Sequence, residues 1–535
     1  MTVTSPSDLL PAEIPEKLNI AEFFLDAAAT RHPQRIAVAG EPRPVTYAEL
    51  AALANRAGNA LREQRVSPGD RVLIVLPDSA EFMAVFFGAA KIGAVAVPVN
   101  SFARTADYIH YIEDSEPCAA FVCTEALEAF LPASGRRPHM PITVVGDSSQ
   151  GQIQTPSVSC ANWSDCLARA AETLAPAGTA SSDAAFMLYT SGSGGTPKAA
   201  VHSHADMVVA TRNYAQGVLE LRADDVAFST SKLFFAYGLG NGMYFPLSCG
   251  ASTVLNPLRT SVERVVELVS KHRPTIFFAV PTLYAAILQA TEAAGARVDF
   301  SSVRRCVSAG ETLPAEIFAR WKQTFGLEIL DGIGSTEMLH IFISSRPGLC
   351  KPGSCGFPVP GYDAKIVDDS GNELPPGEIG NLWVRGASAF SAYWRIPELT
   401  ARTRRNGWVV TGDKFLREPD GHHHYCGRAD DMLKVAGMWV SPVEVENALL
   451  SHPRVVEAAV VGATDARGLT YAVAYVTLRP GCAQSDQLAE EIRGHVRARL
   501  VSHKVPREVC FCGELPKTAT GKIQRFKLRA NVTRR

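Results

Sequence analysis

Ten residues near the middle of the chain, Thr190-Ser191-Gly192-Ser193-Gly194-Gly195-Thr196-Pro197-Lys198-Ala199, limit the fold more than any other stretch. The apolar run before them, Ala184 to Tyr189, reads as a strand buried in a parallel sheet. Such a strand, opening into glycines and hydroxyl residues and ending on a lysine, can bring its backbone close to phosphate oxygens. Glycines permit the approach, hydroxyl and N–H groups donate, and Lys198 adds charge. The spacing does not fit an ordinary P-loop, because Pro197 precedes Lys198 and Ala199 stands where Ser or Thr would hold magnesium. Gly238-Leu239-Gly240-Asn241-Gly242-Met243 likewise misplaces the third glycine of a dinucleotide fingerprint.

Around this loop, short apolar strands alternate with amphipathic helices, the pattern of an α/β protein. Strands are expected at Arg71–Leu76, Thr275–Val280 and Leu327–Leu330, the last running into Asp331-Gly332. Phe82 to Val99, interrupted by Lys91 and glycines, fits a core helix leading into a strand. The Pro-, Ser- and Gly-rich stretch from 132 to 154 is expected as a surface excursion. A chain of 535 residues is too long for one core. The boundary is expected near Gly427–Asp431, giving a unit over 1–429 and a smaller one over 430–535. In the second unit, strands are expected at Ala458–Val461 and Tyr471–Leu478. Ser485 should cap a helix that buries Leu488, Ile492, Val496 and Leu500.

Hydrophobic residues at 46% and charged residues at 20% describe a folded globular chain. A formal net charge of −1 gives no overall attraction to nucleic acid or an anionic membrane. Residues 497 to 535 differ, with eleven Lys or Arg against Glu508 and Glu514. They read either as a solvated face or as attraction for a polyanion such as ATP or coenzyme A. The twelve cysteines contain no Cys-x-x-Cys pair, and no membrane span or signal segment is visible, so a reduced, cytoplasmic protein is expected. His202-Ser203-His204 reads as alternate strand residues packing on one face. His422-His423-His424 reads as a turn-rich segment without a carboxylate at ligand spacing, and metal binding is not expected at either.

Downstream of the loop come Ser308-Ala309-Gly310-Glu311, Asp331-Gly332-Ile333-Gly334-Ser335-Thr336-Glu337, Gly407 to Asp413, Gly427-Arg428, and Pro516-Lys517-Thr518-Ala519-Thr520-Gly521-Lys522-Ile523. This ordered set resembles the adenylate-forming superfamily of acyl-CoA synthetases, adenylation domains and luciferases, over essentially the whole chain. The resemblance implies a large N-terminal domain of stacked α/β subdomains and a small mobile α+β C-terminal domain, hinged at Asp430. It also implies ATP, Mg2+ and coenzyme A as partners in the reaction.

By the same resemblance, Thr190, Ser191, Gly192, Ser193, Gly194, Gly195, Thr196 and Lys198 hold the β- and γ-phosphates. Thr336 contacts the α-phosphate and Glu337 helps bind magnesium, a hard cation suited to oxygen. Gly310, Glu311, Asp331, Gly332 and Ile333 line the adenine, Ser308 and Ala309 belong to the same nucleotide site, and Asp413 with Arg428 takes the ribose. Lys522, by composition an ordinary surface lysine, matches the lysine that bridges the substrate carboxylate and the α-phosphate. Lys434 and Gly437 line the thiol tunnel after the small domain turns. Gly194 departs from the family's usual threonine, which removes one phosphate donor.

Lys232 to Asn241, Asp331 to Ile341 and Asp430 to Val435 most resemble benzoate–CoA ligases and related aryl–CoA ligases. Phe235, Ala236, Tyr237, Gly332, His340 and Ile341 would then surround a flat ring. Phe234-Phe235 also reads as plain core, and His340 as a satisfied core histidine. The expected activity is conversion of an aromatic acid to an acyl-adenylate and then to an aryl-CoA. Alternatives are a stand-alone enzyme that loads a carrier-protein thiol and a non-catalytic nucleotide-binding protein. A homodimer is allowed for.

Overall fold

The computed structural model describes residues 13–41, 43–146, 160–191, 196–294, 298–435, 438–465, 469–479, 481–517 and 523–532. Among these residues the larger unit is built on two big sheets with helices packed against them. The first sheet runs, edge to edge, Ala392–Tyr393, Pro197–Ser203, Ala184–Ser191, Val95–Pro98, Arg71–Val75, Ala119–Cys123, Ile142–Val145 and Cys160–Asn162. Its pairings are parallel except around Pro197–Ser203, which runs antiparallel to both neighbours. The strand before the loop is therefore parallel to Val95–Pro98 on one side only.

The second sheet orders Phe357–Pro358, Ile341–Ser344, Ile329–Gly334, Arg305–Ser308, Ile276–Ala279, Val226–Ser229, Ser252–Val254, Ile36–Val38 and Val45–Thr46. One apolar core joins the two sheets, with Phe86, Phe186, Tyr214, Phe245, Leu330 and Phe342 all buried in it. Continuous apolar runs such as Val72 to Val75 make sense there, because the strand is covered on both faces. A third, antiparallel sheet holds Tyr362–Val367, Ile379–Gly386, Trp408–Arg417 and His423–Arg428.

Two expectations need correction. Strand Ile329–Gly334 begins later than Leu327 and carries straight through Asp331-Gly332. Gly332 makes this possible, because a Cβ there would lie 2.9 Å from Ile341 Cγ2 on the antiparallel neighbour. The stretch from 132 is not all surface, since Ile142–Val145 is an inner strand with Ile142 fully buried.

A separate apolar cluster gathers buried residues between Leu433 and Val496. Strands Val455–Thr464, Thr470–Leu478 and Glu508–Phe511 make a sheet, and helix Asp486–Arg497 buries Leu488, Ile492 and Val496 against it. Ser485 Oγ accepts from Leu488 N at 3.1 Å, as the sequence predicts. Leu500 is only half-buried. Among the described residues no helix is long and apolar enough to cross a membrane.

Candidate functional site

The two strands that flank the expected phosphate cradle pair antiparallel. Thr190 lies opposite Lys198, and Ser191 opposite Pro197. Gly192, Ser193, Gly194 and Gly195 fall outside the described residues, and Thr196 is exposed beside them. Helix Thr105–Ser115 holds the hairpin from one side. His110 Nε2 donates to Pro197 O at 2.7 Å, Tyr189 Oη donates to the Asp114 carboxylate at 2.7 Å, and Trp394 Nε1 donates to Asp114 O at 3.0 Å.

Lys198 and His202 lie four residues apart on strand Pro197–Ser203 and reach the same turn, Ser335–His340. Lys198 Nζ lies 3.8 Å from Glu337 Oε1. Tyr393 Oη stands between them, accepting from Lys198 Nζ at 2.7 Å and donating to Glu337 Oε1 at 2.5 Å. Burial lowers the Lys198 ammonium pKa, Glu337 opposes that shift, and Arg428 adds to it. His202 Nε2 donates to Thr336 O at 2.8 Å, while its Nδ1 meets Asp206 Oδ2 at 2.7 Å.

The turn itself is tightly built. Ser335 Oγ accepts from Met338 N at 3.3 Å, Phe390 N donates to Glu337 O at 2.7 Å, and Ser388 Oγ donates to Met338 O at 2.8 Å. Leu339, fully buried, takes a φ of 68°, a left-handed conformation that costs a non-glycine residue about 1–3 kcal/mol. Packing around the turn must hold it there. The reversal sends Thr336 and Glu337 toward the hairpin and His340 into the core.

His340 is enclosed by Phe245, Tyr214 and Tyr237, with ring centroids at 4.5, 5.2 and 5.7 Å. Neither ring nitrogen meets a partner at good hydrogen-bond geometry, and the backbone of Tyr237 is the polar group that acts on the ring. Phe234 and Ala236 are buried, and Phe235 and Tyr237 are half-buried. Ile341 is buried beside Gly332. The loop that carries these residues is anchored at its start, where Leu233 N donates to Asp78 Oδ1 at 2.8 Å and Lys232 Nζ donates to Leu258 O at 2.6 Å.

The remaining expected residues lie on neighbouring strand ends. Ser308 and Asp331 are register partners, both buried, and Ala309 is buried next to them. Gly310 follows at φ 89°, where a side chain would be strained, and Glu311 and Ile333 are half-buried. Asp413 and Arg428 face each other across two strands, with Nη1 2.9 Å from Oδ1. Asp430 is exposed in a turn, and Arg529 Nη1 donates to its carbonyl at 3.2 Å. Lys434 is exposed. Gly437 and Lys522 lie outside the described residues. The segment holding Lys522 is closed at its base by the Lys517–Ile523 pairing and by Gln524 N donating to Pro516 O at 2.8 Å.

Three further expectations change. His204 starts a helix and accepts from Ile20 N at 3.2 Å, so it does not share a strand face with His202. Carboxylates do stand near the histidine run. Ligand atoms of Glu418, Asp420 and His422 lie within 4.8 Å of one another, and Lys351 pairs with both acids. Much of the basic C-terminal stretch is internally paired, Lys504 with Glu444, Lys517 with Glu457, Arg525 with Glu446 and Arg529 with Asp431. The sequence reading missed Tyr393, His202 and Asp206, whose roles depend on which strands become neighbours. The only local signal was the polar-aromatic cluster around Tyr393-Trp394.

Burial pushes the imidazoles of His340, His204 and His423 down to about 3, 4 and 4 from the ordinary 6.5. Each stays neutral when folded but takes a proton near its ordinary value when unfolded. The unfolded chain therefore binds more protons as pH falls below 6.5. Stability should drop across that window by about 1.4 kcal/mol per pH unit for each histidine. Urea midpoints measured from neutral pH to about pH 5 test this. His340→Phe should make the decline shallower, and an unchanged slope would exclude His340 as a contributor.

Residues 25–394 match the family described as AMP-binding enzyme, and residues 444–522 match the AMP-binding enzyme C-terminal domain. The chain is 41% identical to a benzoate–CoA ligase of Thauera aromatica, covering 99% of each protein. Its structure is similar to that of the anthranilate CoA ligase AuaEII in complex with anthranoyl-AMP, with a TM-score of 0.91, 38% identity and 98% of each chain covered. It is also similar to a benzoate CoA ligase from Burkholderia xenovorans LB400, with a TM-score of 0.88 and 40% identity, covering 96% of this chain and all of that one.

Proposed function

The chain belongs to the AMP-binding enzyme family, and from that premise we propose that it activates an aromatic carboxylic acid with ATP and transfers the acyl group to coenzyme A. One observation carries the reading. Within a single turn, Glu337 faces the phosphate-loop lysine while His340, three residues on, closes an aromatic enclosure. A nucleotide and a flat acid would thus meet across a few residues, which is the proximity that condensation of two anions requires.

In the first half-reaction the acid's carboxylate oxygen attacks the α-phosphorus. The bond to pyrophosphate breaks and a mixed acyl-phosphate anhydride forms. Lys198 and the loop hairpin bind the β- and γ-phosphates, Thr336 faces the α-phosphate, and Asp413 with Arg428 holds the ribose. Lys522 neutralises charge between carboxylate and phosphate. Glu337 fits Mg2+, because one carboxylate plus phosphate oxygens is a common ligand set for that ion. When bound, the metal would offset the charge of the triphosphate. In the second half-reaction a thiolate sulfur attacks the acyl carbon and AMP leaves. Rotation about Asp430 to bring Lys434 and Gly437 to the thiol belongs to the same reading.

The neutral His340, with Tyr237, Phe235, Ala236, Gly332 and Ile341, is read as the ring pocket. The test is pyrophosphate release with benzoate, amino- and hydroxybenzoates and cyclohexanecarboxylate, each with and without coenzyme A. Aryl-CoA formed from benzoates is the expected result. Pyrophosphate without a soluble thioester would transfer the reading to a carrier-protein thiol, and no turnover with any acid would overturn it.

A further inference from the structure

We propose that Tyr393 is a neutral spacer that holds Lys198 and Glu337 in a loose ion pair and keeps them from closing to direct hydrogen-bond contact, leaving both charges available to a metal-bound triphosphate. The inference rests on the assignment of those two residues made above. It stands on where the hydroxyl sits. Tyr393 Oη accepts from the ammonium at 2.7 Å and donates to the carboxylate at 2.5 Å, and the two charged atoms remain 3.8 Å apart.

The spacer is held independently of the charges it separates. Tyr393 is 3% exposed, pairs with Ala200 across the sheet, and donates its N–H to Thr400 Oγ1 at 2.9 Å. Its ring packs on Phe390 at 4.7 Å between centroids, and Lys198 Nζ lies 3.9 Å from the Tyr393 ring centre. A tyrosine hydroxyl is a neutral group that can accept one hydrogen bond and donate another at the same time. The donated bond occupies Glu337 Oε1 and leaves Oε2 for other partners.

Without the hydroxyl, the ammonium and carboxylate of a half-buried pair can close on one another. That pair must then be broken before a triphosphate and its metal can bind. A ligand with only an α-phosphate never meets this pair. Loss of the spacer should therefore discriminate between two nucleotides that share adenine, ribose and α-phosphate.

The experiment is calorimetric titration of the full-length protein with ATP in excess magnesium and, separately, with AMP. In Tyr393→Phe the Kd for ATP should rise about tenfold, equivalent to about 1.4 kcal/mol, with the AMP Kd within about twofold of wild type. The rise should appear in KM for ATP more than in kcat. Equal weakening of both nucleotides, or unchanged ATP binding, overturns the spacer. Phe390→Leu loosens the ring's packing but keeps the hydroxyl, and if it reproduces the ATP-selective loss the role is packing and the proposal fails. Wild type that binds AMP but gains nothing from the added phosphates and magnesium would instead defeat the assignment of Lys198 and Glu337, and the spacer with it.

Discussion

Alanine in place of Lys522 is expected to slow acyl-adenylate formation by about 10²–10³-fold, the cost of removing one preorganised charge from a transition state in which negative charges crowd together. Thioester formation from supplied aryl-adenylate and coenzyme A should stay within a few-fold of wild type, because that step expels AMP rather than joining two anions. The two half-reactions are measured separately, by pyrophosphate release and by aryl-CoA formed from preformed adenylate. Equal loss in both would mean that the substitution damages the small domain generally. The flanking Lys517–Ile523 pairing and the Lys517–Glu457 ion pair do not involve the Lys522 side chain, so the substitution should leave the domain folded.

Gly240→Ala should cost nearly as much through a different route. A Cβ at this buried position would lie 2.6 Å from His340 Cδ2 and 2.8 Å from its Nε2. His340 is wedged against Phe245 and Tyr214 and cannot step aside without disturbing them. Overpacking of this kind destabilises a fold by about 1–3 kcal/mol. Displacement of the ring should also lower kcat/KM for the aromatic acid by about 10²-fold, since small misplacements of a bound reactant cost that much. ATP affinity, measured by titration, should change little. A variant with wild-type kinetics for benzoates would remove His340 from the ring pocket, and one that loses ATP affinity to the same extent would point to general damage.

The sequence carried the architecture further than the assembly of the site. Continuous apolar runs such as Val72–Val75 announced buried parallel strands, and Ser485 with its four-residue repeat announced a capped helix. Composition misled where a strand is short. Ile142–Val145 hides among prolines and glycines, and only its neighbours in the sheet reveal it. The strand expected to end at Leu330 continues through Asp331-Gly332 to Gly334, because the missing side chain of Gly332 admits Ile341 from the next strand. Contiguous motifs named the candidate site residues, and the strand register sets Ser308 beside Asp331 and Asp413 beside Arg428. Tyr393 was not legible. Its importance arises from pairing with Ala200, nearly two hundred positions away, and no local pattern encodes that pairing. His202 is similar, since its link to Thr336 O depends on a hairpin meeting a turn from the other sheet.

On the assignment proposed above, the shortness of the Ser335–His340 turn puts one nucleotide contact and one acid contact on a single short segment. Glu337 and His340 ride on one rigid reversal, held by Ser388, Phe390 and the left-handed Leu339. A ligand that pulls His340 toward itself also moves the support of Glu337, and coupling of that kind is reciprocal in free energy. On the proposed assignment, acid preference and nucleotide affinity are weakly coupled through this turn. A lineage that reshapes the ring enclosure for a new acid would shift its grip on ATP only slightly, far less than its grip on the acid.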